Sequence, residues 1–148
     1  MAVLETIVFM FLFKVKFFYQ ADFKLILVVI FSIILANIIY FIISYLVSLI
    51  AFWSREAMGP RFLFEWILEF ASGAYFPLDI LSPVIFTFLL WFPFMYLLYI
   101  PMAIYLGRYD LSLALLSVFV QLFWISLLSA LTYYIWKKGL KKFTGEGI

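Results

Sequence analysis

The chain has 148 residues, of which 69% are hydrophobic, 24% aromatic and 12% charged, and its mean hydropathy is +1.21. These values lie far outside the range of soluble domains and predict an all-α integral membrane protein built as one helical bundle. The net charge of +2 is too small to indicate a nucleic-acid partner, and the absence of Cys and His excludes disulfides, thiol nucleophiles and the usual zinc sites.

The N-terminal half contains one segment that is clearly long enough to cross a membrane. Residues 1–19 are apolar but interrupted by Lys14 and Lys16, which predicts only a partial helix. Residues 25–53 then run without a charge, Gly or Pro over about 44 Å of helix, which exceeds a hydrocarbon core of about 30 Å. We therefore expect a first spanning helix that tilts or protrudes.

Two further spanning helices follow a polar break. Gly59 and Pro60 fit a loop in which the proline opens a shorter membrane helix over residues 60–76. Residues 111–136 predict the last spanning helix, and its terminal aromatic residues suit the headgroup level of a membrane. The Lys-rich residues 137–148 are interpreted as a short cytoplasmic tail, in which the glycines mark a flexible end.

Residues 78–108 are apolar but divided by prolines, which favours a re-entrant hairpin over a continuous span. The hairpin candidates are Pro77, Asp79, Pro83, Pro93 and Pro101. A hairpin places the basic loop at residues 54–61 and the Lys-rich tail on one side, which obeys the positive-inside rule if that side is cytoplasmic. The external side then holds four basic residues, against six inside. Asp79 is expected at the external turn, where it caps the following short helix.

A polar stripe follows one face of the helix predicted over residues 60–76. Its members are Arg61, Glu65, Glu69 and Ser72. The spacing of Arg61 and Glu65 predicts an i,i+4 ion pair. Glu69 lies deeper, and it is either a structural partner of a polar group on another helix or a residue that lines a translocation path.

Both long helices also carry a strip of polar side chains. The strips comprise Asn37, Ser44 and Ser48 on the first helix, and Ser117, Gln121 and Thr132 on the last. Such groups most often join membrane helices by hydrogen bonds, and the alternative is that they line a pathway.

Three stretches of the sequence carry a family signature: "AFWSREAMGPRFLFEWILEFASGAYFPLDILSP", which contains a G-x-x-x-P-L-D turn, "WFPFMYLLYIPMAIYLGR" and the final "WKKGLKKFTGEG". Their succession resembles the C-terminal half of ABC-2 type transporter permeases, in a poorly characterised bacterial branch. The resemblance covers about residues 25–148. The family's N-terminal amphipathic helix, first helices and main coupling loop have no counterpart, so the chain is expected to be a fragment or to work with a second polypeptide.

The resemblance implies a permease subunit of an ABC exporter in the bacterial inner membrane. It also implies a second permease, a cytoplasmic ATPase that faces Arg55 and Glu56, and an external hairpin between the last two spans. The chain has no G-x-x-x-x-G-K-[ST] motif, so ATP hydrolysis is assigned to the partner, and no cofactor is expected. The alternatives are a membrane anchor or assembly protein and, less well supported, an intramembrane hydrolase that uses Glu65 and Glu69.

Overall fold

The structure is a computed structural model that describes residues 22–54, 56 and 58–142. The partial helix predicted over residues 1–19 and the candidate Arg55 lie outside the described residues. All regular structure in the described part is helical. Its α-helices are α1 (Phe23–Ser48), α2 (Met58–Ser72), α3 (Pro83–Leu90), α4 (Tyr99–Tyr105) and α5 (Leu111–Lys142), joined in part by 3-10 turns at Leu49–Phe52, Leu78–Ile80 and Pro93–Tyr96.

Two of the described helices are long and apolar enough to cross a membrane, and they match the first and last predicted spans. These are Phe23–Phe52, which joins α1 to its 3-10 turn, and Leu111–Lys141 in α5. The first begins at a cap in which the Asp22 carboxylate accepts a hydrogen bond of 2.9 Å from the Lys24 backbone N–H. No Pro or Gly interrupts α1, so its backbone hydrogen bonds continue without a break through a mostly apolar stretch.

The helices α1 and α5 run parallel and meet along a seam with a seven-residue repeat. Leu25 and Ala114 share one buried cluster, and Ile39 and Leu128 share the next, so contacts advance in the same direction along both helices. The buried residues of α1 are spaced alternately by four and three positions along most of the seam, the spacing of a left-handed coiled coil. They are Leu25, Val29, Ser32, Leu35, Ala36, Ile39 and Ile43.

The seam ends at a close contact between Gly139 and the Phe52 ring. A Cβ atom at Gly139 would lie 2.3 Å from a Phe52 ring carbon, so the ring occupies the space that the glycine leaves. The Phe52 ring also meets Trp136 edge-on, with 5.4 Å between ring centroids. The helix continues through Lys142, six residues past the predicted span. The interpretation of Gly139 as part of a flexible end is therefore wrong, because it is a buried helical residue.

The helix α2 is shorter than the span predicted over residues 60–76. It begins at Met58, so Pro60 lies in its first turn, where a missing backbone N–H removes no intrahelical bond. It ends where Gly73 adopts a φ of 85° and Ala74 N–H bonds to the Glu69 carbonyl at 3.2 Å, a Schellman-type termination. At 15 residues α2 measures about 22 Å, and it is not among the two helices long enough to span.

The segment over residues 78–108 is broken into short helical pieces, as its prolines predict. Pro83 and Pro93 each open a piece, whereas Pro101 lies inside the first turn of α4 and does not begin it. The longest piece has eight residues. The two ends of the segment meet, because Arg108 forms an ion pair with Asp79. Met95 and Ile100, both fully buried, pack the segment between the beginnings of α1 and α5.

Candidate functional site

A groove of about 620 Å³ lies between α1, α2 and the C-terminal part of the proline-rich segment. We call it the side groove. Its lining includes Ile30, Ile33, Asn37 and Tyr40 from α1, Leu68, Glu69 and Ser72 from α2, and Leu98, Pro101, Met102 and Tyr105 from or just before α4. The groove is open at the molecular surface, since Tyr40 and Met102 are about half exposed. Its walls are mostly apolar.

Three polar residues proposed from the sequence meet in the side groove: Asn37, Glu69 and Ser72. The Asn37 side-chain amide donates to the Ile33 carbonyl at 2.8 Å, and the Ser72 hydroxyl donates to the Glu69 carbonyl at 2.9 Å. Both groups thus bond to the backbone of their own helix rather than to a neighbouring helix. The Glu69 carboxylate accepts a hydrogen bond from the Tyr75 hydroxyl and is exposed.

The other half of the polar stripe lies outside the lining of the groove. Arg61 Nε is 3.1 Å from a Glu65 carboxylate oxygen, and both side chains are about half exposed. The predicted i,i+4 ion pair is therefore confirmed. Glu65 and Glu69 are held by different partners, Arg61 and Tyr75, and this arrangement does not favour a shared catalytic pair.

Gln121 connects helices rather than lining the groove. It is fully buried in the seam, where its Nε2 donates to the carbonyls of Ser32 and Tyr96 and its Oε1 accepts from the Ser32 hydroxyl, each at 3.0 Å. One side chain thus links α1, α5 and the 3-10 turn at Pro93–Tyr96. Ser32 was absent from the strips predicted from the sequence, although a lone serine in an apolar helix is a weak sign of such a partner.

The remaining strip residues with described hydrogen bonds do not join helices. Ser48, Ser117 and Thr132 each donate from the hydroxyl to a carbonyl three or four residues earlier on the same helix. Such bonds satisfy a hydroxyl locally in an apolar environment. Interhelical hydrogen bonding, the role we considered most common for these strips, is therefore observed at Gln121 but not at these three residues.

A polar cluster holds the two ends of the proline-rich segment together. The Asp79 carboxylate accepts hydrogen bonds from the Tyr99 hydroxyl and the Arg108 guanidinium. The bond from Tyr99 and the nearby Arg108 charge together lower the pKa of Asp79 below its usual value of 3.8. The predicted cap is wrong: α3 begins without a side-chain cap bond, and Asp79 bonds to residues 20 and 29 positions later.

A second cavity of about 360 Å³ lies beside the side groove and extends to this cluster. It is lined by Tyr75, Tyr99 and Arg108 among others. Leu98 and Met102 line both cavities, so their flexible side chains form the wall between the two. The remaining candidate, Glu56, is exposed in the connection between α1 and α2.

Over residues 22–54, 56 and 58–142, these features define an all-helical arrangement with two membrane-length helices and a mostly apolar groove that carries a carboxylate. Residues 3–147 match the family described as ABC-2 family transporter protein, and the chain belongs to that family. The match extends further toward the N-terminus than the resemblance found in residues 25–148. Neither the curated proteins nor the solved structures contain a significant match. Family membership supports the role of membrane permease component of an ABC transporter.

Proposed function

We propose that the chain is the permease subunit of an ABC exporter in the bacterial inner membrane. It pairs with a second permease, which is either another copy or a related chain, and a cytoplasmic ATPase drives it. The observation that carries this proposal is the family match over residues 3–147. The long apolar helices are consistent with it, because they supply membrane-crossing length without a nucleotide-binding motif in the same chain.

The parallel arrangement of α1 and α5 supports the proposed topology. Two parallel spans require one net return across the membrane between them. Because the Asp79–Arg108 ion pair brings the ends of the proline-rich segment together, that segment contributes no net crossing if its ends lie on one face. The return is then assigned to α2 with the residues up to 76, and the proline-rich segment becomes an external re-entrant hairpin. The loop with Arg55 and Glu56 and the Lys-rich end of α5 are then cytoplasmic.

We assign the side groove to the translocation path. It lies between elements that belong to different parts of the chain, so a tilt of α2 against α1 and the hairpin would change its width. Glu69, Asn37 and Ser72 contribute polar groups to its lining. ATP-driven closure of the ATPase pair would transmit that tilt through the cytoplasmic connection near Glu56. Leu98 and Met102, which separate the groove from the outer cavity, would form part of the external gate.

The test is copurification of the chain with a cytoplasmic ATPase, followed by measurement of ATP hydrolysis and export. We expect hydrophobic compounds to stimulate the ATPase. Glu69→Leu is expected to leave folding intact and to reduce stimulation and export, whereas Glu65→Leu should reduce them far less, because Glu65 pairs with Arg61 outside the lining of the groove. If no ATPase copurifies, the alternative of a membrane anchor or assembly protein is favoured.

A further inference from the structure

The side groove contains a carboxylate without a basic neighbour in the lining. Among the described residues that line it, Glu69 is the single acidic residue and none is Lys or Arg. A carboxylate at membrane depth is costly unless it faces a cation, a polar cavity or water. In the proposed topology α2 enters the membrane near Met58, and Glu69 lies about 16 Å further along the helix axis, in the last turn before Ser72. The groove therefore presents a negative charge inside apolar walls.

None of the basic side chains that the structure describes lines the side groove, and four of them contact other groups. Arg61 pairs with Glu65, and Arg108 pairs with Asp79. Lys137 and Lys138 lie over the rings of Tyr133 and Tyr134 near the end of α5. Lys24 is exposed at the beginning of α1, and Lys141 is exposed at the end of α5; neither lines the groove. The charge complement of Glu69 thus comes from outside these residues.

The walls of the groove suit a bulky organic cation. Tyr40 and Tyr105 present aromatic rings, which attract cations through their π faces, and Met102 offers a flexible, polarisable surface. The groove volume of about 620 Å³ falls within the range of about 300 to 1,000 Å³ that is typical of small-molecule sites. An inorganic ion would leave the apolar walls unused, whereas a lipophilic cation matches both the charge and the surface.

We propose that the side groove is a binding site for lipophilic organic cations, such as hydrophobic amines and quaternary onium ions, with Glu69 as the counter-charge. This inference rests on the proposed function, since it names the substrate class that enters the same groove. The cation reaches the groove from the bilayer, where its apolar groups partition. Its charge pairs with Glu69 while its apolar groups contact the tyrosines and Met102.

The test compares two ions of the same shape and opposite charge, tetraphenylphosphonium and tetraphenylborate. Binding of each is measured to the purified chain in lipid nanodiscs, with empty nanodiscs as the background for partitioning into lipid. We expect saturable binding of tetraphenylphosphonium that weakens about tenfold or more in Glu69→Gln, corresponding to about 1.4 kcal/mol or more. Glu65→Gln is the matched control on the same helix and should bind as the wild type does, because Glu65 lies outside the lining.

A second variant tests the groove without changing its charge. Met102→Trp places a larger side chain at a position that is 52% exposed and is expected to block the phosphonium ion. The proposal is overturned if the wild type binds both ions equally above background, or if Glu69→Gln keeps the wild-type affinity. It is also overturned if Glu69→Gln changes the oligomeric state and leaves phosphonium binding unchanged. That result would mean that Glu69 contacts a second copy of the chain rather than a bound cation. The binding measurement needs no ATPase. If the chain binds the phosphonium ion but does not couple to an ATPase, the proposed exporter function is contradicted and the proposed cation site is not.

Discussion

Ser32 and Gln121 lie opposite each other in the buried seam between α1 and α5 and exchange two hydrogen bonds. The Ser32 hydroxyl donates to the Gln121 side-chain oxygen, and the Gln121 amide nitrogen donates to the Ser32 carbonyl, both at 3.0 Å. The second amide hydrogen bonds to the Tyr96 carbonyl in the 3-10 turn at Pro93–Tyr96. All polar atoms of the Gln121 side chain are thus used, which fixes the register of the helices and the position of this turn against them.

Replacement of Gln121 by Leu should destabilise the bundle by about 1 to 3 kcal/mol, because it leaves buried polar groups of Ser32 and Tyr96 without this partner. The measurement is the midpoint of thermal unfolding in detergent. Ser126→Ala is the control, since Ser126 bonds to the Leu122 carbonyl on the exposed side of the same helix and should change the midpoint little. Equal midpoints for Gln121→Leu and the wild type would mean that apolar packing alone sets the register.

The sequence predicted the class of structure well because composition and helix breakers act locally. The charge-free stretch beginning at Leu25, the prolines after Pro77 and the four-residue spacing of Arg61 and Glu65 each have a direct structural result. The family resemblance, found from short motifs in residues 51–147, is confirmed by the match over residues 3–147.

The packing was not predictable in the same way. In a soluble helix the buried face is recognised because the opposite face is polar, but here the exposed residues Ile33, Ile34 and Ile38 are as apolar as buried Ile39. The seven-residue repeat of the seam therefore cannot be recognised in the sequence, because the residues on the other faces of the helix are equally apolar. The roles of Asp79 and Gly139 depend on contacts with residues 29 and 87 positions away, at Arg108 and Phe52, which local spacing does not report.

The proposed topology predicts which side of the membrane three single cysteines face. Glu56→Cys, Ser82→Cys and Glu146→Cys are introduced singly into the chain, which has no cysteine of its own. An impermeant thiol reagent should label position 82 in intact cells and label positions 56 and 146 after permeabilisation, because the hairpin returns to the external face. Labelling of positions 56 and 146 from opposite sides would contradict the hairpin.

The Asp79 cluster predicts a pH-dependent contribution to stability. Because the pKa of Asp79 is lowered in the folded protein, its ionised form stabilises the fold above its usual pKa of 3.8, and this contribution is lost as the pH falls through the folded value. The contribution of the partly exposed ion pair with Arg108 should be small, because solvent screens the two charges.

The unfolding midpoints of the wild type and of Asp79→Asn should therefore differ between pH 5 and 7 and converge as the pH falls below 3.8. Asp110 is a second carboxylate whose pKa is lowered, mainly by the Ser112 hydroxyl. It is present in both proteins, so its contribution cancels when their midpoints are compared. A difference that stays constant down to pH 2 would show that the Asn side chain acts through packing rather than through its lack of charge.

Substitution of Gly139 tests whether its contact with the Phe52 ring, at the end of the seam, is rigid. Gly139→Ala places a methyl group against the Phe52 ring, which also packs edge-on with the rings of Trp53 and Trp136. Overpacking costs about 1 to 3 kcal/mol and is partly offset by the helix preference of Ala over Gly, about 1 kcal/mol, so the unfolding midpoint should fall. Gly59→Ala is the matched control, because a Cβ atom there meets nothing within 4 Å, and its midpoint should stay level or rise.

The double variant Gly139→Ala with Phe52→Leu separates the steric effect from other causes. Leu lacks the planar ring that occupies the gap, so the cost of Gly139→Ala should be smaller in the Phe52→Leu background than in the wild type, and the two substitutions should be non-additive. If Gly139→Ala instead raises the unfolding midpoint as much as Gly59→Ala does, the Phe52 ring can move away from the added methyl group without loss of stability. The parallel helices would then owe their register to the Ser32–Gln121 contact and the two apolar clusters, without a steric stop at their C-terminal ends.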